Sequence, residues 1–534
     1  MAVENRPANA VQNGKHNIFA ILRSNFGTYS TGLKDVAQCL REAENTASLL
    51  ESQIVSLQNE QQRLFLRISH CKSLLAPIRR PPPELLVRIF DFCCTESKVD
   101  ATMSCPVVKL SQVCAGWREL VRTTSSLWAR IAVDLNKSGH SVEQILLMIK
   151  THLTLSKQSP LHITLVLPSA VTDDALVVIR AFIPHSMRWE TVSLDVDRSH
   201  LLDPEFATIK GRLPLLRQLE VWPPSPVDIE IPDNEATVDS FISAPVLRSF
   251  KLGTDTQTKI EVPWPQLHDL TLWGHKPIAI SKLLRSASAA RKVTIEHCYS
   301  PDAEDSKPEP VVYNMASLTI CVDHWDRNPT VFLRPLTLPQ LTSLCLSGAE
   351  PMYPDTDFCF SDIQAFLIRS GCILTSLSLV NLSNTDHVIL EILECIPSLV
   401  ELIIHERPIQ DHSQNTILTP YFVGQLSFNH DRKSFHRFLP RLKTVSFQVH
   451  GRAPLIFVIS SFVAMVRSRW IPNLEHATEM GVNCLRNVEL RFIGLMENAE
   501  RELVEINVRS LTMLRAAGLY FEMSRRDYAK RSSY

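Results

Sequence analysis

The sequence predicts an α/β chain in three parts. A long N-terminal helix comes first, then a small all-α unit, then a solenoid of helix–turn–strand repeats with parallel strands and outer helices. Three observations point there. Apolar residues recur in alternating steps of three and four from Leu33 to Leu75. Three consecutive prolines, Pro81 to Pro83, open a pair of short amphipathic segments. Beyond them the triple apolar-x-x-apolar-x-apolar returns eleven times, often shortly after a proline.

Composition bounds what such a chain can do. Its 534 residues leave room for roughly two to five domains of ~100–200 residues. With 55 basic against 56 acidic side chains, a globally basic nucleic-acid binder is excluded. Glycine is scarce at 15 and proline plentiful at 33, which disfavours phosphate-cradling loops and favours rigid punctuation. Met1 to His16 is polar, so no secretory signal is expected. The longest apolar stretch, Ala453 to Val466, is shorter than the ~20 residues a bilayer needs and reads as a buried helix. No membrane contact is expected. Thirteen cysteines without a CxxC pair read as reduced thiols of an intracellular protein, cytoplasmic or nuclear.

Residues 1–32 are polar and aperiodic, expected as a disordered tail. From Leu33 the heptad seam runs through Val36, Leu40, Ala43, Ala47, Leu50, Ile54, Leu57, Leu64, Ile68, Cys71 and Leu75, with Gln61 the single polar member. No proline or glycine interrupts it, so residues 33–76 are expected as one helix, about 63 Å over six heptads. Glu44, Glu51, Glu60, Arg67 and Lys72 lie off the seam. The narrow stripe suits one partner helix, as in a parallel homodimeric coiled coil through residues 33–75. The alternative is a helix laid along its own domain.

The helix stops at Pro77, and Ile78-Arg79-Arg80 leads into the prolines. Prolines can start a helix because its first turn needs no N–H donors, and Glu84 suits the positive end. Leu85, Leu86, Ile89, Phe90 and Cys93 follow at helical spacing. After a polar loop, Thr95 to Ser104, a second helix is expected from Pro106. It would carry Leu110, Val113, Cys114, Trp117, Leu120 and Val121 on one face. Ser125 to Trp128 closes the unit. Pro82-x-Glu84-Leu85-Leu86-x-x-Ile89-Phe90, then Val113-Cys114-x-x-Trp117-x-x-Leu120, then Leu127-Trp128, resembles the F-box. With the preceding heptad helix, the arrangement looks like the F-box-like proteins abundant in mushroom-forming fungi. Pro81 stands where that family usually has Leu, and the loop between the helices is long.

The eleven triples begin at Trp189, Leu216, Leu247, Leu267, Ala290, Met315, Leu341, Leu374, Leu399, Leu442 and Leu485. At this apolar content about 9% of windows match by chance, so the triple alone decides nothing. Proline decides it: Pro214, Pro245, Pro265, Pro339, Pro397 and Pro440 each precede a triple by two residues. Proline ends a helix and biases its neighbour to extended geometry, so a short strand can follow. Helix-like stretches such as Asp362 to Arg369 and His387 to Ile396 do precede triples. The region 140–500 therefore resembles an irregular leucine-rich repeat, with the usual Asn or Cys after the strand present only as Cys298. Residues 501–534 are expected as a C-terminal cap and basic tail carrying Arg525, Arg526, Lys530 and Arg531.

Chemistry-bearing motifs are scarce. No phosphate loop, H-E-x-x-H zinc helix or G-x-S-x-G elbow occurs. His405, His412, His430, His436 and His450 lack the short fixed spacing zinc wants, so no metal is expected. Cys93 and Cys94 adjoin in a helix, where at least one should be a core thiol. No catalysis and no cofactor are expected.

The resemblance implies a substrate-receptor subunit of a Skp–cullin–F-box ubiquitin ligase. Residues 77–135 would bind a Skp-type adaptor and, through it, a cullin. The implied adaptor-binding set is Pro82, Glu84, Leu85, Leu86, Ile89, Phe90, Val113, Cys114, Trp117, Leu120, Leu127 and Trp128. The repeats would hold a protein substrate. The alternative, favoured by Pro81, is a scaffold that has lost adaptor binding.

Overall fold

The computed structural model describes residues 33–94, 105–136, 141–168, 170, 172–222, 236–253, 258–275, 277–297, 310–322, 330–348, 358–382, 385–406, 417–430, 437–450, 455–493 and 498–526. The expected tail 1–32, the loop Thr95 to Ser104, Cys298, His412, His436, Lys530 and Arg531 lie outside them. The chain divides into two compact units, Met1–Leu86 and Val87–Tyr534.

The first unit holds one unbroken helix, Leu33–Leu75, followed by a 3-10 turn, Pro77–Arg79. Arg79 fastens the turn, donating from Nε to the Ser73 carbonyl at 2.8 Å and from Nη2 to the Ser73 hydroxyl at 3.1 Å. Every side chain described from Ala37 to Leu75 is exposed, the apolar seam from Leu40 onward included.

In the second unit, fourteen strands among the described residues form one parallel sheet in sequence order. They are Arg130–Asp134, Leu161–Val166, Trp189–Asp195, Gln218–Trp222, Ser249–Gly253, Asp269–Trp273, Lys292–Glu296, Ser317–Cys321, Ser343–Ser347, Ser376–Leu382, Glu401–Glu406, Thr444–His450, Asn487–Ile493 and Tyr520–Arg526. Parallel neighbours cannot be joined by hairpins, so each connection crosses over, in several places through a helix. The cause lies in the triples. Their second and third members fall in register, with Leu318 beside Val293 and Leu344, and Leu377 beside Leu402. Each row of apolar side chains is buried, and the alternating positions face the other way.

The crossover helices close the core from that same side. Ile145 and Ile149 from Val142–Leu155, Phe366 from Phe360–Ser370, and Phe462 and Val466 from Leu455–Arg469 join one continuous cluster with the strand residues. Neither layer could bury its apolar face alone. Residues 455–466 of the apolar stretch thus lie in a core helix, with Ala453 and Pro454 outside the described residues, and among the described residues no helix is long and apolar enough to cross a membrane.

Three arginines brace successive repeats. Arg188 donates to the Ser159 carbonyl at 2.9 and 3.1 Å and to the Ser156 hydroxyl at 2.7 Å. Arg369 donates to the Leu333 and Leu336 carbonyls at 2.7 and 2.8 Å. Arg469, 2% exposed, donates to the carbonyls of Leu426, Leu439 and Phe438. Burial pulls its pKa down to about 10, which still leaves it charged at neutral pH.

The sheet outruns the bounds expected for the repeats at both ends. It begins at Arg130 and ends at Arg526, so Arg525 and Arg526 belong to a strand paired with Phe492 and Ile493. One expected element is corrected. The helix anticipated from Pro106 is two helices, Pro106–Val113 and Ala115–Thr123, broken at Cys114, whose backbone is extended. There the Cys114 sulfur caps the second helix by accepting from the Trp117 N–H at 3.5 Å, while Arg118 Nε donates to the Ser111 carbonyl at 3.0 Å.

Candidate functional site

The helix Pro83–Cys93 begins on proline and carries Glu84 in its first turn, as its N-terminal chemistry dictates. Its side chains divide sharply by exposure. Leu85 and Ile89, one turn apart, keep 52% and 41% of their surface open. Leu86 and Cys94 are buried, and Phe90 is fully so. Pro82 and Glu84 are exposed and Pro81 is half-buried.

Phe90 owes its burial to Trp117, whose ring lies 4.6 Å away at a tilt of 59°. Such tilted pairs stabilise beyond the area they cover. Val113, at the end of its helix, stands 59% exposed, whereas Cys114, Trp117 and Leu120 are half-buried. Leu127 and Trp128 are interior. The implied set thus separates into an outward apolar group of Leu85, Ile89 and Val113, and an inward group of Leu86, Phe90, Leu127 and Trp128. One sequence does not reveal that split, because Ile89 and Phe90 differ by a single helical step.

The unit has no linker to the sheet. The Trp128 indole N–H donates to the Val121 carbonyl at 2.8 Å, and its ring meets His152 edge-on at 5.1 Å. The Trp128 carbonyl lies 3.1 Å from His152 Nδ1 and can only accept, so Nδ1 carries the proton. Burial holds that imidazole below its ordinary pKa, so it is neutral, and Nε2 accepts the Cys105 S–H at 3.4 Å. Asp91 pairs with Arg130 of the first strand at 2.7 Å.

None of this is nucleophilic chemistry. Burial pushes the Cys94 thiol up to about 11 and raises Cys105 too, leaving both protonated. Among the described residues no group of three or more His, Cys, Asp or Glu side chains could hold a metal ion. Of the clustered histidines, His405 lies half-buried on a strand, and His430 stacks on His476 at 5.8 Å while its Nε2 lies 2.8 Å from the Ser468 carbonyl. What remains are exposed apolar side chains, Ile89 and Val113 among them, on short helices, an arrangement suited to docking.

No curated protein matches the chain. Among solved structures, it is similar to the leucine-rich repeat-containing protein LegL7 from Legionella pneumophila. Identity is 11% and the TM-score 0.29, with 61% of this chain and 91% of that chain covered. The family comparison falls on the unit just described: residues 82–134 match the F-box-like family, so the chain carries an F-box-like domain at this position.

Proposed function

We propose that this chain is the substrate-receptor subunit of a Skp–cullin–F-box ubiquitin ligase. An F-box-like domain implies a Skp-type adaptor. Leu85, Ile89 and Val113 would meet the adaptor, and Phe90, Trp117, Leu127 and Trp128 would hold them in place. The observation that carries the reading is that one helix sets an exposed Ile89 beside a fully buried Phe90, which packs on Trp117. The repeats would hold a protein substrate near the charged conjugating enzyme and raise its effective concentration there. The receptor itself would make and break no bonds. It would act where such ligases act, in the cytoplasm or nucleus.

Calorimetry of the full chain against a Skp-type adaptor tests this. Binding at micromolar or better supports it, and no heat at tens of micromolar refutes it. A scaffold that ignores the adaptor is the second reading, and Pro81 favours it, whereas the exposed seam of residues 37–75 fits either. Ile54 and Ile68 alternate along that seam with Leu50, Leu57 and Leu64, the pattern that favours two parallel strands. A parallel homodimer through residues 33–75 is compatible with both readings. Light scattering of wild type and of the Leu50→Glu, Leu57→Glu variant decides it. A wild-type mass that is monomeric at ~10 μM removes the dimer, given the affinity expected of six heptads.

A further inference from the structure

Near its C-terminal end, the sheet face turned away from the core holds a hollow of about 500 Å³. The strands Glu401–Glu406, Thr444–His450, Asn487–Ile493 and Tyr520–Arg526 lie side by side, and their outward positions line up in rows. Ile403, Ser446, Glu489 and Glu522 make one row. Glu401 and Tyr520 end the row before it, and His405 and Arg491 stand in the row after. At ~4.8 Å between strands, the hollow spans about 14 Å, enough for a few residues of an extended chain.

Its charge is unbalanced. Three carboxylates, Glu401, Glu489 and Glu522, face one guanidinium, Arg491. Arg491 is already engaged by Glu489 at 2.6 Å. Hydroxyls orient the carboxylates without neutralising them: Ser376 donates to Glu401, Ser446 to Glu489 and Tyr520 to Glu522, each at 2.7 Å. Two outward carboxylates earlier in the sheet, Glu220 and Glu190, do have cationic partners. Lys251 sits 2.8 Å from Glu220, and Arg217 3.3 Å from Glu190. In the hollow, among the described residues, only Glu489 has such a partner. One further feature suits an incoming cation: Tyr520 stands 58% exposed beside Glu522. Over residues 317–321, 343–347 and 376–380 the three strands before the hollow present only Ser, Thr, Cys and Val outward, a low floor along which a chain could approach.

We propose that this hollow receives a lysine or arginine side chain from an extended basic segment of a partner protein. Glu401 and Glu522 supply the counter-charge, and the Tyr520 ring offers a cation–π face. Glu401 is half-buried, which strengthens its attraction over the value on an open surface. The inference rests on the receptor reading for its biological sense and names the class of protein that the repeats would take.

Fluorescence anisotropy with the full chain tests it. The probe is a short fluorescein-labelled peptide whose arginines are spaced by Gly-Ser, and its control replaces arginine by neutral citrulline. Saturable binding is expected, weakened about tenfold by citrulline and by the Glu401→Gln, Glu522→Gln variant, and falling as salt rises. Equal binding of the two peptides, equal binding by the variant, or no saturable binding to wild type overturns the inference. Glu522→Gln alone, expected to weaken binding less, serves if the double variant melts early. A chain that binds adaptor but not peptide removes this inference only. One that binds peptide but not adaptor removes the receptor reading only.

Discussion

Ile89 and Phe90 are adjacent, yet their replacement should fail in opposite ways. Ile89 is 41% exposed, which leaves roughly 70 Å² of apolar area open, and covering it at about 25 cal/mol per Å² contributes about 2 kcal/mol to docking. Ile89→Ala forfeits most of that, so the dissociation constant for the adaptor should rise about tenfold. Because the residue lies at the surface, the melting curve of the full chain should stay much closer to wild type than that of Phe90→Ala. Phe90 has no open surface and lies on Trp117. Phe90→Ala should therefore cost about 3–5 kcal/mol of stability, through lost contacts and the cavity left behind. Calorimetry gives the affinity and a thermal melt gives the stability. The reasoning fails if Ile89→Ala binds like wild type. It also fails if Phe90→Ala melts like wild type while losing the adaptor, since Phe90 would then be a surface contact.

Arg469→Met should cost roughly 3 kcal/mol or more in denaturant unfolding, because three interior carbonyls lose their donor. Arg469→Lys should recover little, since an ammonium cannot reproduce the planar fork; full recovery would refute this account. Residues 77–134 made alone should show no cooperative melt, because Arg130–Asp134 would lose its partner strand Leu161–Val166 and Trp128 would lose His152; a sharp transition by circular dichroism would overturn this. His275 is buried, its Nε2 lies 3.2 Å from the Leu252 carbonyl, and burial lowers its pKa to about 4. The unfolded chain binds this proton first, so its contribution is complete above about pH 6.5 and lost as pH falls towards 4, by roughly 3 kcal/mol. His275→Gln should flatten that part of the stability–pH curve; an unchanged slope in urea titrations would disprove the assignment.

All eleven triples found in the sequence are strands of the sheet, the six that follow a proline by two residues and the five that do not, so the apolar pattern carries the location and proline only sharpens it. The three strands it missed have local causes. Arg130–Asp134 continues a valid triple that starts at Trp128, a residue the F-box motif had already claimed. In Leu161–Val166 the first core residue stands two rather than three places before Ile163, and the register shifts opposite Trp189. Before Tyr520–Arg526 the first position is Gly518, which has no side chain to register. The break at Cys114 carries no proline, and its cause, a thiol capping a backbone N–H, is invisible to periodicity. Nor does periodicity place the hollow: Glu401, Glu489 and Glu522 are far apart in sequence and meet only because the strands stack in register.

The arginine braces say something about which changes the chain can absorb. Arg188, Arg369 and Arg469 grip mostly main-chain carbonyls in a preceding segment. Every residue type supplies such an acceptor, so the segment being gripped can change its side chains freely, and the clamp does not notice. Only the arginine is irreplaceable. That asymmetry suits repeats whose spacing runs from 20 to 43 residues: the gripped segments are free to drift in composition while one arginine at each of these three joints keeps neighbouring layers in step. Saturation mutagenesis should accordingly find the gripped loops permissive and the three arginines intolerant.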